Sequence, residues 1–81
     1  MKAFKLSHNF IGFIGQTEYD YTTAVSSLHD EIKESQIWVD DYPKGIWSIE
    51  IFDTESETAD YKVVYSLTTA KIKKLQKDGL F

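Results

Sequence analysis

Two histidines, His8 and His29, and a set of closely spaced carboxylates are the side chains whose types could move a proton or hold a cation. His29 lies in Leu28-His29-Asp30-Glu31, a segment that the periodicity below makes helical. Helix neighbours point in different directions, so these three groups do not converge, and His29 is expected at the helix surface. His8 falls between two apolar runs and could meet carboxylates from elsewhere in the fold, which is the basis for a small hydrolase or nuclease reading. Asp40-Asp41 has half the donors of a hard-cation site but no further carboxylate at a ligand spacing, and solvation of a turn accounts for the pair. The chain has no cysteine, so thiolate zinc sites and disulfides are excluded. No Walker loop, dinucleotide fingerprint, nucleophile elbow or zincin helix occurs. These observations point to a non-enzymatic chain with no catalytic residues, metal or cofactor.

The elements that must position any functional side chain can be read from spacing. Lys2 to Leu6 and Phe10 to Ile14 are short apolar-rich runs suited to a β-hairpin or one bent strand. Thr17 or Asp20 can cap a helix over roughly 18–34, in which Tyr21, Val25, Leu28 and Ile32 recur at helical spacing. Ile37-Trp38-Val39 reads as a short strand, Asp40 to Gly45 as a turn around the single proline, and Ile46 to Phe52 as a longer strand. On that strand Trp47, Ile49 and Ile51 share one face and Ser48 and Glu50 the other, so one side of the sheet faces water or a partner. An acidic turn, Thr54 to Ala59, leads to a strand at Tyr61 to Tyr65. A last helix begins near Ser66 to Thr69 and ends at Gly79, with Leu80 following in a Schellman arrangement over Leu75. The expected fold is α+β: one domain over 1–81, with a small antiparallel sheet of three to five strands and two helices on one face, in the order β(β)-α-β-β-β-α.

Charge is unevenly distributed. Between residues 40 and 60, Asp40, Asp41, Glu50, Asp53, Glu55, Glu57 and Asp60 are opposed by Lys44 alone, whereas Lys62, Lys71, Lys73, Lys74 and Lys77 near the end are opposed by Asp78. All nine basic residues are lysine, which removes the bidentate fork that reads guanine edges and weighs against sequence-specific nucleic-acid recognition. Lysine with abundant Ile, Asp and Tyr also follows from AT-rich codons and is compatible with a phage or mobile-element origin. Neither a signal-peptide pattern nor an apolar run of membrane-spanning length is present, so a cytoplasmic protein that does not enter a membrane is expected.

Two binding surfaces follow. In the first, accessible sheet aromatics bordered by acidic loops bind a protein: Trp38, Asp40, Asp41, Tyr42, Phe52, Asp53, Glu55, Glu57 and Asp60 would form it, and a regulator or inhibitor is the concrete version. The spaced carboxylates could also imitate nucleic-acid phosphates towards a basic partner. In the second, Lys71, Lys73, Lys74 and Lys77 bind RNA or DNA without sequence preference. The order α-β-β-β-α over residues 18–78 is similar to that of double-stranded RNA-binding domains, in which lysines at the start of the second helix meet phosphates. The histidine-containing loop of that family is replaced here by Asp40 to Gly45. Gly12-Phe13-Ile14-Gly15 resembles the GXXG loop of KH domains in outline, but its middle residues are large and apolar and no amphipathic helix precedes it. Unpaired sheet edges would also permit a homodimer.

Overall fold

The computed structural model describes residues 1–58 and 60–81; Ala59, the last residue of the expected acidic turn, lies outside them. Two antiparallel strands, β1 (Lys2–His8) and β3 (Ile46–Asp53), run side by side at the centre of the sheet. Their register sets Phe4 opposite Ile51, Leu6 opposite Ile49 and His8 opposite Trp47. Side chains alternate along a strand, so these six residues share one face. β2 (Gly12–Glu18) pairs with β1 and β4 (Lys62–Thr68) with β3, completing a four-stranded antiparallel sheet in the order β2-β1-β3-β4. Three helices supply the other half of the core: Ala24, Leu28 and Ile32 from α1 (Tyr21–Glu34), Val39 from α2 (Gln36–Asp41) and Ile72 from α3 (Thr69–Lys77) join Leu6, Trp47 and Ile49 in one buried cluster. Each fully buried Leu or Ile contributes about 1.5–3 kcal/mol. The fold is the α+β class expected from the sequence, with an antiparallel sheet and its helices on one side.

Local chemistry explains where the helices begin and end. Asp20 caps α1 by accepting from Thr23 N at 2.9 Å, and Thr68 caps α3 by accepting from Lys71 N at 3.2 Å. At the far end of α3, Gly79 takes a positive φ of 72°, Leu80 N donates to Leu75 O at 2.8 Å and Gly79 N to Gln76 O at 3.1 Å. This is the Schellman pattern, although Leu80 itself is 72% exposed.

Residues Ile37 to Val39 are the main departure from the expected element order: they belong to helix α2, not to a strand. Their β-branched and aromatic types favour a strand, but that preference is weak beside tertiary packing. A strand would put Ile37 and Val39 on one face. The helix instead buries Val39 completely and leaves Ile37 64% exposed. Side-chain amides fix α2 against α3, with Gln76 Nε2 donating to Gln36 Oε1 at 2.7 Å. Among the described residues the consecutive three-strand run of a double-stranded RNA-binding domain is therefore absent, and the observed order is β-β-α-α-β-β-α.

One close approach joins α2, β3 and α3. Thr69 N donates to Gly45 O at 3.0 Å, and the Thr69 hydroxyl reaches Tyr42 O at 2.8 Å and Gly45 O at 3.2 Å. A Cβ on Gly45 would lie 2.7 Å from His8 Nε2 and 3.0 Å from both Thr69 Oγ1 and Tyr42 O. Gly45→Ala is accordingly expected to destabilise the fold by about 1–3 kcal/mol, read as a lower urea midpoint at unchanged slope.

Candidate functional site

The alternation that buries Phe4, Leu6 and His8 turns Ala3, Lys5 and Ser7 to the opposite side of β1, and likewise Ser48, Glu50 and Phe52 on β3. This side of the sheet faces away from the helices. Phe13 lies on it from β2 and Val63 from β4, through the pairings Ser7 with Phe13 and Glu50 with Val63. Just before β4, Tyr61 lays its ring between those of Phe52 and Phe13, at centroid distances of 5.1 and 5.2 Å. Lys5 Nζ stands 5.5 Å from the Phe13 ring centre. These rings make a small second cluster outside the main core. It remains incompletely covered, because Phe13 is 52% and Val63 53% exposed.

An acidic rim adjoins this cluster. Asp53 ends β3 and shapes the following turn, accepting from Glu55 N at 3.0 Å through Oδ1 and from Ser56 N at 3.2 Å through its carbonyl. The Glu55 amide is the main reason its carboxyl is held below the usual aspartate value. Lys2 Nζ lies 3.8 Å from Asp53 Oδ2, whereas Glu57 and Asp60 are exposed and have no cationic partner among the described residues. A cleft of about 410 Å³ lies here, lined in part by Phe52, Asp53, Asp60 and Lys62.

The surface expected from the sequence is divided in two. Phe52, Asp53, Glu55, Glu57 and Asp60 gather at the end of β3, while Trp38, Asp40, Asp41 and Tyr42 precede its start. The eight residues of β3 separate the groups by about 25 Å. Trp38 is half-buried against the core, and Tyr42 stacks on Phe10 at 5.3 Å and 13°. Phe10, Asp41, Tyr42, Pro43 and Lys44 line a largely apolar cavity of about 290 Å³ at that end. Lys71, Lys73, Lys74 and Lys77 are all exposed on α3, but their spacing fans them over roughly 160° of the helix circumference and not along one line. Another carboxylate group, Glu18, Asp30, Glu31 and Glu34, borders a cleft of about 210 Å³ between β2 and α1.

Both histidines differ from their expected surroundings. His8 is the last residue of β1, not a connecting residue, and it is 1% exposed. His29 is half-buried: its Nε2 lies 3.1 Å from the Tyr65 hydroxyl, and burial, followed by the nearby Lys33 charge, lowers its pKa. Among the described residues, no three His, Asp or Glu side chains are grouped to hold a metal ion. Also among the described residues, no helix is long and apolar enough to cross a membrane.

Sequence reasoning missed Phe13, Tyr61, Lys5 and Val63 as parts of the site. The alternation of Phe13 with Ile14 was the available signal, but the surrounding apolar run reads equally well as buried throughout. No family model, curated protein or solved structure matches the chain, so the reading of the site rests on its own geometry. If the outer rings support one another, Phe13→Ala and Tyr61→Ala will show a coupling of about 0.5–1.5 kcal/mol in a double-mutant denaturation cycle. Additive losses would show that the pair does not interact.

Proposed function

We propose that this chain is a non-enzymatic interaction protein, acting as a regulator or inhibitor, that holds a protein partner against the outer face of its sheet. The observation that supports this most is the Phe13–Tyr61–Phe52 cluster, half-exposed on a sheet face away from the helices and near Glu57 and Asp60, which lack cationic partners among the described residues. Aromatic side chains in such positions are the usual anchors of a protein interface, since they bury much area at little entropic cost. The acidic rim favours a partner with a basic border, which it would attract during encounter. Trp38 and Tyr42 are remote from this face, so the anchoring role passes to Phe13, Tyr61 and Phe52.

Nucleic-acid binding through Lys71, Lys73, Lys74 and Lys77 is the second reading, supported by the exposure of all four side chains. Their dispersion around α3 and the overall charge of −4 make it weaker, because a phosphate backbone would gain few simultaneous contacts against a repulsive background.

Capture from the native host with tagged protein, with and without nuclease, distinguishes the two. A stoichiometric protein partner that survives nuclease is expected; recovery of RNA or DNA, with proteins lost on digestion, would move the function to α3. With the partner in hand, Phe13→Ser should raise Kd about 10- to 100-fold through faster dissociation. Glu57→Lys with Asp60→Lys should slow association several-fold at low salt, an effect that fades as salt is added. Association unchanged by the double reversal would remove the acidic rim from the interface.

A further inference from the structure

The imidazole of His8 is enclosed at the end of the sheet opposite the acidic rim. Its Nδ1 accepts a hydrogen bond from Phe10 N at 3.1 Å, which requires that nitrogen to carry no proton. The ring is therefore neutral with its proton on Nε2. Nε2 is buried next to the bare Cα of Gly45 and has no hydrogen-bond partner among the described residues.

Every element packed around the ring contributes an aromatic or uncharged group. Trp47 of β3 meets it edge-on at 4.4 Å and 84°, Tyr42 after α2 lies at 5.3 Å, Phe10 of the β1–β2 connection at 6.1 Å and Trp38 of α2 at 6.4 Å. From α3 comes Thr69, whose hydroxyl is donated to backbone carbonyls. The ionisable groups of these elements at this end are Asp40, Asp41, Lys44 and the Tyr42 phenol; among the described residues none forms an ion pair or hydrogen bond with His8.

We propose that protonation of His8 releases Phe10 in the β1–β2 connection, so that this end of the molecule opens as the pH falls. A second proton has to be placed on Nδ1, which then presents an N–H to the Phe10 N–H. Two donors cannot satisfy each other, so protonation leaves Nδ1–H without an acceptor beside the Nε2–H that already lacks one, and the Phe10 N–H loses its acceptor. The aromatic faces offer a cation some attraction but no lone pair in the ring plane.

The connection is also built to yield at one place. Asn9 is fastened to β3 and the preceding turn, donating through its backbone N to Ile46 O at 3.1 Å and accepting from Ile46 N at 2.7 Å through Oδ1. Phe10 is held by the His8 bond and its stack on Tyr42, with 58% of its surface already exposed. Moving Phe10 outward therefore exposes little additional surface and lets water reach the cation.

Burial lowers the His8 pKa from the ordinary histidine value of about 6.5, so the closed form holds at neutral pH. The open and unfolded forms take up the proton more readily than the closed form. Closure is thus fully favoured above that ordinary value and is lost as the pH falls below it.

The test follows the imidazole carbon-bound proton of His8 and the backbone amides by NMR between pH 7.5 and about 4.5, in a His29→Gln background so that one histidine titrates. The expected result is a His8 midpoint below 6.5, with the Phe10 amide shifting at the same midpoint and exchanging at least about tenfold faster in the acid form, after correction for intrinsic pH effects, while the Leu28 amide in the middle of α1 stays protected. His8→Asn offers an acceptor oxygen near the position of Nδ1 without titrating, and should abolish the change at Phe10. If that variant does not fold, the titration of the His29→Gln protein decides. A His8 that titrates without a response at Phe10, or protection lost at Phe10 and Leu28 together, would overturn the proposal.

Discussion

The antiparallel pairing of β1 with β3 is the contact on which the other packing depends, because it brings Leu6, Ile49, His8 and Trp47 into one strip from chain segments about forty residues apart. Against that strip α1 lays Leu28 and Ile32, and α2 and α3 add Val39 and Ile72. A chain of 81 residues has enough apolar side chains for one such layer and not for a second of equal size. Single-sided burial leaves the other face of the sheet with a small, incompletely covered apolar group around Phe13, Tyr61 and Phe52, and the proposed interaction surface is a direct consequence of that shortage.

The two ends of the sheet differ in chemistry for local reasons. Where β3 begins, the connection must pass under α3, and Gly45, Thr69 and His8 meet too closely to admit another carbon atom. Where β3 ends, the chain leaves the sheet through an Asp53-organised turn on which Glu57 and Asp60 stay exposed. Aromatic enclosure at one end and, among the described residues, carboxylates without cationic partners at the other make the two ends chemically distinct. The acidic end and the outer aromatic cluster lie side by side, because Tyr61 links the acidic turn to β4 and its ring spans Phe52 and Phe13.

Several elements were legible from short-range rules because their determinants lie within a few residues. Asp20 satisfies an amide three positions on, Gly79 can take the backbone conformation that ends α3, and alternation along Ile46 to Phe52 assigns Trp47 and Ile49 to one side and Ser48 and Glu50 to the other. Ile37 to Val39 was not legible. Its types suit a strand, yet the centre of the sheet is occupied by β1, and Val39 finds its place through contact with helices and β-strand residues distant in sequence. The site was partly legible for the same reason: Phe52 and the carboxylates near it were read as a group, but Trp38 and Tyr42 were joined to them although β3 stands between.

By itself the sequence determined the α+β class, a cap for the first helix at Thr17 or Asp20, the glycine that ends the last helix, the one-sided pattern of β3 and the crowding of carboxylates around residues 53–60, all of which depend on neighbours along the chain. Tertiary structure alone decided that α2 is a helix, that His8 is enclosed by aromatic rings and that Phe13 meets Tyr61 on the outer face. Those outcomes depend on the β1–β3 register, which aligns residues some forty positions apart, and no local propensity or spacing encodes which of them will touch.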